Sequence, residues 1–104
     1  MANSLTTNPI VLTAAMTSSY KAGVAASLGS PLGPVRVEKI YWENPANIGD
    51  TVILVDPQTG RTLLVLRCEV AGQSQLVDWT AAPVLWRDFQ AQTVGSSTVY
   101  IYTR

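Results

Sequence analysis

Few residues of this chain could do chemistry, and histidine is absent from the sequence. The absence removes the commonest general base and the commonest ligand for transition metals. Asp78 and Asp88 flank an aromatic cluster and form the best candidate pair of catalytic carboxylates, of the kind that cleaves glycosides. Each of them also stands beside a predicted turn, where aspartate usually caps a backbone group or is solvated. The sequence therefore predicts no catalytic residue, and the protein is not expected to be an enzyme.

The sequence contains no complete set of residues for nucleophilic catalysis or for a phosphate-binding loop. Without histidine no nucleophile has its usual general base, and neither GSPLG nor GSS carries the lysine of a phosphate-binding loop. Cys68 is the single cysteine, so that no disulfide within the chain and no thiolate cluster can form. We expect its thiol to be buried and inert.

Calcium binding is the remaining alternative for a metal site. Asn44, Asn47 and Asp50 supply oxygens of the type that calcium prefers. Turns use the same residues for backbone reasons, and the NPANIGD stretch has the proline and glycine of a turn. The turn is the favoured interpretation, so we predict neither a bound metal nor a cofactor.

Composition favours a small globular protein that associates with others. The chain has 104 residues, of which 47% are hydrophobic and 13% charged, and its formal net charge is zero. This length favours a single domain over residues 1–104 with a modest core. No basic run indicates nucleic-acid binding, and no apolar run is long enough to span a membrane. The beginning of the chain has no basic residues before its apolar part, so a secretory signal is not expected.

Short β-prone runs separated by turn signals dominate the chain. They predict an all-β fold, a single antiparallel β-sandwich of six to eight short strands with jelly-roll-like connections. The clearest element is a hairpin, in which TVILVD and TLLVLRCEV flank the turn DPQTG. In it we expect Leu64, Leu66, Cys68 and Val70 to point inward, and TVILVD to be covered on both faces.

Three further features modify this strand pattern. Within residues 35–44 the apolar phase shifts by one residue after Lys39, which is typical of a β-bulge. Pro83 excludes an uninterrupted central strand in the stretch AAPVLWRD. Residues 16–34 have no periodicity and form a long irregular connection, either an extended arm or a plain loop, in which YKAGVAASL has room for one or two helical turns.

Aromatic side chains are the best candidates for a contact surface. Tryptophans can fill a sandwich core or form a sugar-stacking platform, and the core is the favoured interpretation for most of them. In the last strand, Tyr100 and Tyr102 alternate with the apolar Val99 and Ile101, so the tyrosines are expected on the outer face. The candidate interface residues are Tyr41, Trp42, Trp79, Trp86, Tyr100 and Tyr102.

The order of these elements resembles that of small decoration, or cement, proteins on the capsid exterior of tailed bacteriophages. The similar pieces are NPIVLTAA, the stretch from PVRVEKIYWEN to DPQTGR and the ending SSTVYIY, which together extend over nearly the whole chain. The resemblance implies a jelly-roll-like sandwich, a homotrimer at threefold positions, and a major capsid protein as the partner. It also implies a virion location after synthesis in the host cytoplasm, whereas the charge and the short apolar runs predict no nucleic-acid or membrane binding.

The alternative hypothesis is a carbohydrate-binding or host-adhesion module of a phage head fibre or tail. Two exposed, coplanar tryptophans would favour this alternative, because such rings stack on sugars. Buried tryptophans would favour the decoration protein.

Overall fold

The computed structural model describes residues 3–5, 8–23 and 35–103. These residues form strands and one helical turn at 20–23. The strands in chain order are β1 (Ile10–Leu12), β2 (Val35–Glu43), β3 (Thr51–Val55), β4 (Thr62–Arg67), β5 (Gln75–Asp78), β6 (Val84–Trp86), β7 (Gln90–Val94) and β8 (Thr98–Thr103). Every strand pair is antiparallel. The all-β, antiparallel sandwich expected from the sequence is therefore confirmed.

The strands form two sheets that enclose one hydrophobic core. The larger sheet has five strands in the order β1-β8-β2-β5, and β6 pairs with β2 on the part of that strand not taken by β5. The smaller sheet has the order β4-β3-β7. Alternate residues of the central strands point inward, and the fully buried side chains include Val37, Ile40, Trp42, Val52, Leu54, Phe89, Val99 and Ile101.

A β-bulge in β2 produces the phase shift seen in the sequence. The register against β8 changes between Val37 and Lys39, so that Glu38 is the additional residue. Val37 and Ile40, on either side of the bulge, are both fully buried. The bulge thus keeps apolar residues facing the core although the simple alternation is broken. On the other edge of β2, residues 79–83 separate β5 from β6, as Pro83 led us to expect.

The predicted hairpin is formed by β3 and β4 and joined by the DPQTG turn. Val52 and Leu54 face the core and are fully buried, whereas Ile53 on the other face is only half-buried. Within the described chain this strand is therefore fully covered on one face and partly covered on the other. Gly60 adopts a φ of 74°, the left-handed conformation that this turn requires of its glycine.

The end of the hairpin corrects one expectation. Cys68 is fully buried, as predicted, and its thiol lies 3.4 Å from the carbonyl oxygen of Val70. Val70 was expected to point inward, but its side chain is 56% exposed. The reason is that β4 ends at Arg67 and the chain turns over residues 69–72, which interrupts the alternation.

The described part of the 16–34 connection packs against the sandwich. The amide of Met16 donates to the carbonyl of Ala91 at 2.8 Å, and the amide of Tyr20 donates to the carbonyl of Phe89 at 2.7 Å. The rings of Tyr20 and Phe89 stack with centroids 4.9 Å apart. Residues 16–20 therefore lie along the beginning of β7 and the residue before it. The remainder of the predicted connection, residues 24–34, lies outside the described residues.

The helical turn at 20–23 is fixed by Asp88, whose carboxylate accepts the backbone N–H of Lys21 at 3.0 Å. None of the helical residues in the described ranges forms a helix long and apolar enough to cross a membrane. Burial raises the pKa of the Tyr20 phenol above its ordinary value. The start of the connection is thus held by backbone, carboxylate and aromatic contacts together.

An ion pair joins the hairpin turn to the segment before β7, and it predicts a pH dependence. The carboxylate of Asp56 accepts the amide of Gln58 at 2.9 Å and lies 2.8 Å from Nη2 of Arg87. The hydrogen bond from the Gln58 amide, and to a smaller extent the Arg87 guanidinium, hold the pKa of Asp56 below its ordinary value of 3.8. The folded state favours the carboxylate, so this stabilisation is present above pH 3.8 and is lost as the pH falls through the lower folded pKa.

We therefore expect Asp56→Asn to lower the free energy of unfolding at about pH 7 but to leave it unchanged at about pH 2. Urea denaturation across this pH range measures the difference. Arg87→Gln, which removes only the ion pair, should give a smaller difference of the same sign. A difference in the free energy of unfolding between wild type and Asp56→Asn that is the same at every pH would contradict the prediction.

Candidate interaction surface

The outer face of the five-stranded sheet carries a set of aromatic and aliphatic side chains that are partly or fully exposed. These residues alternate along their strands with residues that face the core and are more buried, which places them on the side away from the core. We call this surface the tyrosine face, and its members are Val11, Tyr41, Leu76, Leu85, Tyr100 and Tyr102. Leu76 is 57% exposed and Leu85 is 60% exposed.

One row of the tyrosine face crosses four neighbouring strands in direct register. Val11 of β1 pairs with Tyr100 of β8, which pairs with Tyr41 of β2, which in turn pairs with Leu76 of β5. The rings of Tyr41 and Tyr100 are nearly parallel, with centroids 6.3 Å apart. Because neighbouring strands lie about 4.8 Å apart, this row extends for about 14 Å across the sheet. A row of side chains of this length could contact another protein along one line across the sheet.

A second row adds balanced charge beside the first. Lys39 pairs with Tyr102 on one side and with Asp78 on the other, and its ammonium lies 5.1 Å from the centre of the Tyr102 ring. Hydrogen bonds from the hydroxyl and the amide of Thr80, aided by Lys39, lower the pKa of Asp78. Asp78 is therefore ionised at neutral pH. The surface carries both signs of charge, which suits a protein partner better than a polyanion.

The structure separates the six candidate interface residues into two groups. Tyr41, Tyr100 and Tyr102 lie together on the tyrosine face, as expected for Tyr100 and Tyr102 from their alternation. The tryptophans do not join them, because Trp42 is fully buried and Trp86 is 6% exposed.

Trp79 lies at the margin of the core rather than on the tyrosine face. It is half-buried and packs edge-on against Trp86, with centroids 6.1 Å apart and ring planes at 77°. Trp86 in turn contacts the ring of Phe89 at 5.7 Å. The described tryptophans therefore provide no exposed, coplanar pair of indoles for stacking on a sugar.

The two candidate catalytic carboxylates have separate local roles. Asp78 lies on the outer face and accepts the amide of Thr80 at 2.8 Å, which is a turn-forming bond. Asp88 is buried and accepts the amides of Lys21 and Phe89 at 3.0 and 2.9 Å. Each carboxylate is used by backbone N–H groups, and only Asp78 is open to solvent. The arrangement supports the structural interpretation of both residues.

The three candidate calcium ligands take part in turns. The amide of Asn47 donates to the Asp50 carboxylate at 3.3 Å, and the amide of Asp50 donates to the carbonyl of Asn47 at 3.1 Å. The side chain of Asn44 accepts the hydroxyl of Ser74 at 3.3 Å, and Asn44 has a φ of 45°. Within the described ranges there is no group of three or more acidic, histidine or cysteine residues that could hold a metal ion.

Sequence reasoning missed the aliphatic members of the tyrosine face. Val11, Leu76 and Leu85 occur in short strands whose neighbours are not evident from the local pattern. Their alternation with buried residues does signal an outward direction. The register that aligns Val11 and Leu76 with Tyr100 and Tyr41 is a property of the assembled sheet.

Comparison of the chain with protein-family models, with curated proteins and with solved structures found no match in any of the three.

Proposed function

We propose that this protein is a non-enzymatic structural protein, a decoration protein that binds the outer surface of a tailed-phage head and stabilises contacts between major capsid subunits. The observation that carries the proposal is the tyrosine face, a set of partly or fully exposed aromatic and aliphatic side chains on one face of the larger sheet. Surfaces of this type are typical of protein interfaces, in which tyrosine is enriched and charged residues lie at the rim.

The phage capsid as the partner rests on the sequence resemblance described above. The fold agrees with it in architecture, as an antiparallel sandwich whose chemistry-bearing residues serve backbone roles. The resemblance also implies three copies around threefold positions of the shell. Stabilisation of the shell would follow from mass action, because a protein that binds only the assembled capsid lowers its free energy.

The experiment compares phage heads assembled with and without this protein. Heads that carry it should release their DNA at a higher temperature, and purified protein added back to bare heads should restore that temperature. Release at the same temperature from both kinds of head, with no binding of the added protein, would contradict the proposed function. Cryo-electron microscopy of the decorated heads then counts the copies at each threefold position.

Carbohydrate binding remains the second candidate because of one observation. The nearly parallel rings of Tyr41 and Tyr100 on an exposed sheet face could stack on a sugar ring. The burial of Trp42 and Trp86 makes this candidate weaker than capsid binding, since the strongest stacking groups are in the core. Binding on a glycan array, together with heads whose DNA-release temperature does not depend on the protein, would favour it.

A further inference from the structure

Residues 16–23, which we call the strap, are held against the sandwich by one short segment, residues 88–91. The backbone amides at positions 16, 20 and 21 donate to the carbonyls of Ala91 and Phe89 and to the carboxylate of Asp88. Met16 and Tyr20 add their side chains to the core cluster and are 8% and 7% exposed. Because these hydrogen bonds all lie at the beginning of β7, the strap can open locally without separating the paired strands.

Met16 contacts β7 through its backbone and also through its sulfur. Its amide donates to the carbonyl of Ala91 at 2.8 Å, and its carbonyl accepts the side-chain amide of Gln90 at 3.0 Å. Its thioether Sδ accepts the backbone N–H of Ala91 at 3.3 Å. Ala91 is fully buried, and a buried backbone N–H needs an acceptor. The reduced thioether supplies this acceptor, although sulfur is a weak one.

We propose that Met16 is a redox-sensitive switch, in which oxidation of its thioether to the sulfoxide by a peroxide releases the strap from β7. The step is a two-electron oxidation of the sulfur. A sulfur lone pair forms the new S–O bond while the O–O bond of the peroxide breaks. With hydrogen peroxide, the proton of the transferred hydroxyl leaves with the second oxygen as water. The product is a polar group in place of an apolar one.

The docked strap has no room for the sulfoxide oxygen. An N–H···O hydrogen bond by itself takes about 2.9 Å between nitrogen and oxygen. An oxygen bonded to the sulfur therefore cannot be placed between Sδ and the Ala91 nitrogen, which are 3.3 Å apart. An oxygen that points in another direction faces the apolar cluster in which Met16 packs, where a polar atom without a partner costs free energy. Water solvates the oxygen once the strap is released, so oxidation favours the open strap.

Opening of the strap changes which side chains meet the solvent. It brings the sulfur of Met16 to the surface, whereas the thiol of Cys68, the other sulfur group in the part of the chain that the structure describes, stays buried in the sandwich. It also uncovers the ring of Phe89, on which Tyr20 stacks at 4.9 Å and against which Trp86 packs. This inference goes beyond the proposed function and does not depend on capsid binding.

Hydrogen–deuterium exchange of the purified protein, before and after treatment with hydrogen peroxide, tests the switch. Peptide mass spectrometry first shows whether Met16 has gained one oxygen atom in the folded protein. The strap amides at positions 16, 20 and 21 should then exchange about tenfold faster or more, whereas the amides of β2 and β8 should keep their exchange rates. Reduction of the oxidised protein by a methionine sulfoxide reductase should restore the slow exchange of the strap.

Met16→Leu is the matched control, because leucine has a similar apolar volume and no sulfur. Peroxide should leave the strap exchange of this variant unchanged, although Met1 and Cys68 are still present. Wild-type protein with Met16 sulfoxide and an unchanged strap exchange would overturn the inference. So would a Met16 that gains oxygen only after unfolding in urea, an acceleration that persists in Met16→Leu, or one that the reductase does not reverse. The wild-type measurements decide the question even if Met16→Leu does not fold, and each result leaves the capsid experiment to be decided separately.

Discussion

Trp42→Ala should cause the largest loss of stability of any single change proposed for this protein. The indole is fully buried between the sheets, and its Nε1 donates to the carbonyl oxygen of Ser96 at 2.9 Å. Removing a buried tryptophan side chain of this kind costs about 3 to 5 kcal/mol, through lost burial and the cavity that remains. Domains of this size have a total free energy of unfolding of about 5 to 15 kcal/mol, so the variant should lose a large fraction of it.

Urea denaturation followed by circular dichroism measures this effect. Trp42→Phe keeps most of the apolar volume and removes the indole N–H, so its smaller loss separates packing from the hydrogen bond. Tyr41→Ala is the matched control, since Tyr41 is the preceding residue of β2 and points to the opposite face. Its cost should be within about 1 kcal/mol, the size of a cross-strand pair. Equal urea midpoints for wild type and Trp42→Ala would show that the inward register of β2 is wrong.

If the proposed function is correct, the second large effect is on binding rather than on stability. Replacing both central rings of the tyrosine face, in Tyr41→Ala with Tyr100→Ala, should lower the affinity for bare phage heads by about a hundredfold or more. The reason is that buried tyrosines near the centre of an interface commonly contribute most of its binding free energy. Cosedimentation of the purified variant with heads measures the affinity.

A matched control lies on the other sheet. Gln92→Ala with Thr93→Ala removes two side chains of β7, which is not part of the tyrosine face. This control should bind heads as wild type does, and both double variants should unfold at urea concentrations near that of wild type. If the tyrosine variant is folded and binds heads with unchanged affinity, the proposed contact through the tyrosine face is wrong. If the control alone loses binding, the contacting surface is the outer face of the smaller sheet.

The local pattern carried enough information for several details of the fold. The alternation of Val35, Val37, Ile40 and Trp42 predicted both the strand and its bulge, because a bulge is a one-residue shift that the apolar phase records directly. The DPQTG turn predicted the hairpin, because its proline and glycine already favour the required φ values. These features depend on residues close together in sequence, so the chain itself was sufficient to find them.

Long-range pairing was decided by the tertiary structure. Nothing in the sequence of β5 and β6 indicates that both pair with β2 on one edge, or that Val11 and Leu76 complete a row with the two tyrosines. The inward direction predicted for the Val70 side chain was wrong for a related reason. The residue at which a strand leaves its sheet depends on the partner strand as well as on alternation. The contact of residues 16–20 with the beginning of β7 likewise follows only from the assembled sheets. The alternation of residue types determines which face of its strand a side chain occupies. The neighbours on that face come from strands that are distant in sequence, and the shared core determines how those strands pair.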